Sequence, residues 1–169
     1  MTLSRSRINC TVTWTDTVAN TPFADSVQGE DSIQFLVEPP TSLYNYAYLG
    51  SYTIAASGTQ VLDFRSFSSL NRVAVTGTGI LGLMLSASNE DDPQVTGAKL
   101  RVEADATNGL AWFLGGTTPY LEVEVGLTGA LLTVMAGVVK TVDATHRRLL
   151  LTNSGTVAMT VQVWGLIAG

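Results

Sequence analysis

Residues 149–163 read Leu-Leu-Leu-Thr-Asn-Ser-Gly-Thr-Val-Ala-Met-Thr-Val-Gln-Val. Within them Val157, Met159, Val161 and Val163 alternate with Thr156, Ala158, Thr160 and Gln162. A period of two sends alternate side chains to opposite faces of an extended chain, so this run is a half-buried strand. The leucine run before it ends in Asn153-Ser154-Gly155, residues that turn the chain at little steric cost. Strand, turn and strand succeed one another within fifteen residues. The same grammar recurs upstream. Cys10, Val12 and Trp14 alternate with threonines, Val73 and Val75 with Arg72, Ala74 and Thr76, Leu100, Val102 and Ala104 with Lys99, Arg101 and Glu103, and Leu121, Val123 and Val125 with Glu122 and Glu124.

Seven further stretches are strand-like without clean alternation: 32–37, 52–56, 60–64, 80–87, 110–114, 131–136 and 149–152. They suit central strands covered on both faces. Turn signals such as Ser57-Gly58, Gly77-Thr78-Gly79, Asn108-Gly109 and Thr128-Gly129 separate most of them. Helical periodicity is confined to single turns at 66–72 and 141–147. The pattern predicts an all-β fold: an antiparallel β-sandwich, jelly-roll-like, with at most one or two short helical turns. Residues 1–8 read as an N-terminal arm and 9–169 as a single β-sandwich domain.

Composition narrows the class. The chain has 169 residues, of which 46% are apolar and 14% charged, with a net charge of −5. Disordered chains are less apolar than this. No apolar run reaches the roughly 18 residues of a spanning helix, and no apolar stretch comes after Arg5 and Arg7, so neither a membrane span nor a secretory signal is expected. Basic residues are scattered, so no backbone-tracking stripe for nucleic acid is expected. Thr, Ser and Gly carry most of the polarity. Two readings of that surface stay open: faces that are buried against partners, or an ordinary sandwich with a Thr-rich exterior.

Chemistry-bearing patterns are few. Cys10 is the only cysteine and His146 the only histidine, which leaves no disulfide and no cysteine zinc site. Cys10 reads as a small buried hydrophobe. The run 77–82 matches G-x-G-x-x-G, but residues 83–88 are strand-like, so a hairpin rather than a dinucleotide-binding helix is expected there. Asn89-Glu90-Asp91-Asp92 could hold calcium but reads first as a solvated turn closed by Pro93. Glu122 and Glu124 could be the carboxylates of a glycosidase, yet on one regular strand they read as an exposed face paired with Lys99, Arg101 or Arg72. Asp16, Asp63 and Asp143 read as isolated turn or strand-end residues, and His146 shows no local partner for a triad. No catalytic, cofactor or metal site is expected.

The expected partner-facing residues are aromatic and basic. Tyr44, Tyr46 and Tyr48 share one side of an extended segment after Pro39-Pro40, and Trp112 sits before Gly115-Gly116. Tyr and Trp favour interfaces and sugar stacking, although core packing is the commoner fate of aromatics in a sandwich. Arg5 and Arg7 on the arm could meet acidic groups on a neighbour.

Val61-Leu62-Asp63-Phe64 after a Gly- and Ser-containing turn, the Ser-rich segment 66–70, the L-x-x-T-N-x-G run at 149–155 and a terminal strand ending in Gly169 form a pattern. Over residues 50–169 it resembles small all-β virion proteins of tailed bacteriophages, several of which decorate or cement the capsid as trimers. The resemblance transfers no functional residue. It implies a non-enzymatic structural virion protein without cofactor, metal, nucleic acid or membrane, one that self-associates, with a trimer favoured. Its partner would be the major capsid protein or another virion protein, with assembly in the bacterial host cytoplasm. The alternative on the same fold is a carbohydrate- or receptor-binding module of a tail or fibre that uses the tyrosines and Trp112.

Overall fold

The alternating runs form strands over most of their described residues, although the last begins only at Met159, with 156–158 belonging to the turn before it. The computed structural model describes residues 12–17, 26–31, 46–69, 74–89, 97–110, 120–125 and 130–169. The strands are β1 (Val12–Thr17), β2 (Ser26–Asp31), β3 (Tyr46–Ile54), β4 (Thr59–Asp63), β5 (Phe67–Ser68), β6 (Ala74–Val75), β7 (Gly79–Asn89), β8 (Ala98–Ala104), β9 (Tyr120–Val125), β10 (Ala130–Thr141), β11 (Arg148–Asn153) and β12 (Met159–Ala168). Contacts divide the chain into two units. Ser4–Pro40 contains β1 and β2, paired antiparallel from Val12↔Asp31 to Thr17↔Ser26. Thr41–Gly169 contains β3 to β12. The arm expected at 1–8 lies outside the described residues.

Eight strands of the larger unit form two antiparallel four-stranded sheets, in the orders β10-β7-β12-β3 and β4-β11-β8-β9. The pairing is nested: β3 with β12, β4 with β11, β7 with β10 and β8 with β9. First pairs with last, second with seventh, and so inward. Every connection except that from β8 to β9 carries the chain from one sheet to the other. A long eight-stranded hairpin wrapped in this way is a jelly roll. The short pair β5–β6 lies between β4 and β7 in sequence.

Burial follows the alternation. In β12, Met159, Val161, Val163 and Ile167 are buried, and in β8, Ala98, Leu100 and Val102 are. Leu62, Phe64, Ile80, Leu110, Leu149 and Leu151 are fully enclosed with them in one cluster. Each such side chain contributes roughly 1.5–3 kcal/mol over its exposed state. Among the described residues, these side chains occupy the space between the sheets.

Several local expectations change. Phe67–Ser68 is strand, because it pairs with β6 in the register Phe67↔Val75, so no helical turn forms over its described part. Residues 142–147 form a bend held by Asp143, not a helical turn. Gly77-Thr78-Gly79 is no hairpin: it links β6 to β7, which belong to different sheets. Thr78 N–H donates to Ala168 O (2.7 Å), and Val142 N–H to Thr78 O (2.9 Å). A Cβ on Gly77 would collide with the Phe64 carbonyl, so a close backbone approach accounts for that glycine. The start of β7 is covered on both faces as expected, since 79–83 are all buried. β11 instead alternates, with only Leu149, Leu151 and Asn153 buried.

Candidate partner-binding faces

Strand registers place the outer side chains of each sheet in rows, since residues directly opposite on neighbouring strands share a face. On the β3-β12-β7 side the rows are Leu49–Trp164–Met84, Ala47–Leu166–Gly82, Ser51–Gln162–Ser86 and Thr53–Thr160–Ser88. Leu49 is 46% exposed, and Ser51, Thr53, Gln162 and Ser88 are exposed too, while Trp164, Met84 and Leu166 are half-buried. No Asp, Glu, Lys, Arg or His occurs in β3, β7 or β12.

The β4-β11-β8-β9 side is different. Its rows are Val61–Leu150–Glu103–Tyr120 and Thr59–Thr152–Arg101–Glu122, flanked by Lys99–Glu124 at one end and Asp63–Arg148 at the other. Lys99 Nζ lies 3.1 Å from Glu124, and Arg101 Nη2 2.8 Å from Glu103. Arg101 also stacks on Tyr120, 4.2 Å from the ring centre, a cation–π contact. Ser154 Oγ donates to Glu122 (3.3 Å). Glu122 and Glu124 are thus the exposed, paired face that their spacing suggests. They stand side by side on one strand and do not flank a cleft as a glycosidase pair does.

At the Asp63 end a mixed-charge cluster forms. Asp63 Oδ2 lies 3.4 Å from Arg147 Nε and 3.2 Å from Arg148 Nε, and Asp105 lies 3.8 Å from Arg148 Nη1. Asn108, at a φ of 62°, accepts from the backbone N–H groups of both arginines through its carbonyl oxygen; Asn tolerates this left-handed conformation well. Asp63 does end β4, and its Oδ1 accepts from Arg65 N–H (3.0 Å) as a strand-end residue's can, but it is not isolated, because both arginines meet it. Asp143 is the turn residue expected. Its Oδ1 accepts from Thr145 N–H (2.7 Å) and His146 N–H (2.8 Å). These bonds, with those from the Thr145 hydroxyl and the His146 ring, hold its carboxyl far below the usual range. His146 Nδ1 lies 3.2 Å from the same carboxylate, so the histidine does have a local partner. Both side chains are about half exposed, and the pair reads as a turn clasp.

The tyrosine run splits. Tyr48 is 6% exposed and packs against Phe64 and Phe67, with ring centres 5.4 and 5.2 Å apart. It sits on the inner face of edge strand β3, so its ring is withdrawn from the partner surface expected for it. Burial, and then its hydrogen bond to the Tyr52 hydroxyl, push its own hydroxyl far above the ordinary tyrosine range. Tyr46 is half-buried and packs on the same cluster. Tyr44, Trp112, Arg5, Arg7, Cys10 and 90–92 lie outside the described residues. Among the described residues no three His, Cys, Asp or Glu side chains gather as a metal site would need.

The run 149–155 marks a structural site whose role its composition does not disclose. Asn153 is fully buried; its Nδ2 donates to Ile54 O (3.1 Å) and Val157 O (2.7 Å), and its Oδ1 accepts from Gly155 N–H (3.0 Å). One amide therefore ties β11 to the end of β3 in the opposite sheet and closes the β11–β12 turn. A Cβ on Gly155 would collide with the Gly97 carbonyl. Val61-Leu62-Asp63-Phe64 is explained in the same way: Leu62 and Phe64 enter the core, while Asp63 meets the arginines.

The chain matches no protein-family model and no curated protein. Among solved structures it is similar to a chain from a marine algae virus of the order Picornavirales, at 9% identity and a TM-score of 0.36, over 95% of this chain and 91% of that one. It is also similar to a chain from Desmodium yellow mottle tymovirus, at 9% identity and a TM-score of 0.31, over 72% of this chain and 87% of that one. The jelly-roll assignment rests on the strand order and nested pairing described above.

Proposed function

We propose that this chain is a non-enzymatic structural virion protein that associates with its own copies, and in its finer form a decoration or cement protein on the capsid surface of a tailed bacteriophage. The observation that carries the reading is a jelly roll whose described interior residues are aliphatic and aromatic side chains packed in one cluster. Viral shells, lectins and cupins all use this architecture, and fold alone does not choose among them. A cupin or an enzyme needs a cavity with converging polar groups, whereas here Leu62, Phe64, Leu149 and Val161 occupy the space between the sheets. Such a molecule offers a partner its outer faces and edges. Many weak face-to-face contacts on a lattice sum to firm attachment. The carbohydrate-binding alternative loses the Tyr48 ring to the core.

Two measurements test this reading together. Light scattering behind size exclusion should show species heavier than the 17.9 kDa chain, rising with concentration. Immunogold labelling should place the protein on particles purified from its source. A monomer at every concentration that is also absent from particles overturns the proposal.

A further inference from the structure

Strands β3, β7 and β12 carry no charged side chain, whereas the β4-β11-β8-β9 exterior is laced with ion pairs. We infer that the outer face of the β3-β12-β7 side is the surface by which one copy of this chain packs on a second copy. This rests on the self-association proposed above and names the surface that performs it.

Three observations converge. First, the rows Leu49–Trp164–Met84 and Ala47–Leu166–Gly82 form an apolar band, bordered by Ser51, Gln162, Ser86, Thr53, Thr160 and Ser88. Centres of protein interfaces are depleted of charge and enriched in Trp and Met, with polar groups at the rim. Second, charge restricts the occupant to an uncharged face, which a second copy supplies. A partner that presented charges would bury them here without counter-charges, at a high desolvation cost. A second copy brings the same uncharged band, so neither like-charge contact nor unpaired charge arises. The β4-β11-β8-β9 exterior, with Lys99, Arg101, Glu103, Glu122 and Glu124, cannot meet its own copy on those terms in arbitrary register. Third, the area reaches the size needed. The three strands, of nine to eleven residues, rise about 3.3 Å per residue and lie about 4.8 Å apart, so their face covers on the order of 500 Å². Two such faces bury on the order of 1,000 Å² in all, about what a specific interface needs.

The test compares three lysine substitutions at exposed positions of the full chain. Leu49→Lys and Ser51→Lys place a charge on the uncharged face. Val61→Lys does the same from the matching edge strand of the other sheet, where Val61 is 39% exposed. Sedimentation should show association weakened about tenfold or more by each of the first two, since each buries a charge without a partner, and little changed by the third. Hydroxyl-radical labelling of the unmodified protein should show Trp164 and Met84 becoming shielded as concentration rises, a readout that needs no variant to fold. Association abolished by Val61→Lys and untouched by Leu49→Lys and Ser51→Lys overturns the inference while self-association stands. Shielding of Trp164 and Met84 that is the same at every concentration also overturns it, because the face is then covered within one chain. An unmodified protein that stays monomeric throughout overturns both this inference and the reading on which it rests.

Discussion

Leu49, Trp164 and Met84 make one outer row of the sandwich, and Val61, Leu150, Glu103 and Tyr120 make a corresponding row on the other side. The inner rows behind them are alike: Leu85, Val163 and Ile167 on one sheet, Leu62, Leu151 and Val102 on the other, all buried. The difference is therefore confined to the residues that face outward. A half-buried sheet needs apolar residues on its core face only, so the outer face is free to take whatever its surroundings favour. On one side it has taken salt bridges suited to water. On the other, β3, β7 and β12 have taken Trp, Leu, Met, Gln, Ser and Thr and carry no charge. The few charges of the described strands are thus unevenly distributed between the two exteriors.

The largest effects should ignore this difference. Leu62→Ala on the charged sheet and Leu85→Ala on the uncharged one each leave a cavity in a common core. Both should cost about 2–5 kcal/mol in chemical denaturation. If only one does, the two inner faces do not share a core and the sandwich is wrongly drawn.

The next effect tests the joint between the sheets. Asn153→Ala strips donors from Ile54 O and Val157 O and an acceptor from Gly155 N–H. A buried polar group left without a partner costs about 1–3 kcal/mol, so the variant should lose about 2–4 kcal/mol with no volume conflict. Asn153→Asp should lose more, and lose further as pH rises, because it points an oxygen at two carbonyls and buries a charge. Equal stability of the two variants would show that the amide nitrogen does not bind both carbonyls.

A third effect is acid-specific. The Asp143 carboxyl is held below its ordinary value of 3.8 by the Thr145 backbone N–H, the Thr145 hydroxyl and His146. A carboxylate with a lowered pKa in the folded state stabilises the fold above its unfolded pKa, and that contribution fades as pH falls through the folded value. Asp143→Ala should lower Tm at neutral pH, and the gap from the unmodified protein should narrow progressively in increasingly acidic buffer. A gap that widens with acid would reverse the assigned direction.

The strands were legible because alternation is a local property. Leu100, Val102, Met159, Val161 and Val163 are each identified by their second neighbour in sequence. The acidic strand was legible too, since Glu122 and Glu124 sit two residues apart beside a basic strand of matching period. Nested pairing was not legible, because β3 meets β12 across more than half the chain and only the closed sandwich sets that register. Asp63 and Arg148 are 85 residues apart, and Asn153 and Ile54 are 99 apart. Tyr48 was drawn outward by the prolines upstream of it, a local cue, whereas its position on the inner face of an edge strand is fixed by β12. Local period gives faces, and long-range register decides which face is inside.

The smallest expected effect bears most directly on the contrast between the exteriors. If the charged face is built for solvent, its ion pairs should count for little in the isolated chain. Lys99 and Glu124 are 42% and 80% exposed, and exposed pairs contribute about 0.2–1 kcal/mol, less when screened by salt. A double-mutant cycle with Lys99→Ala and Glu124→Ala should give a coupling at the low end of that range and nearly none in concentrated salt. Arg101 merits the same cycle with Glu103, where the geometry is tighter and Tyr120 adds a stacked face. A coupling there of about 2 kcal/mol or more would exceed what solvated pairs supply. The charged sheet would then hold a rigid patterned surface, suited to a partner of complementary charge, and the two exteriors would differ in the partner they choose and not in whether they have one.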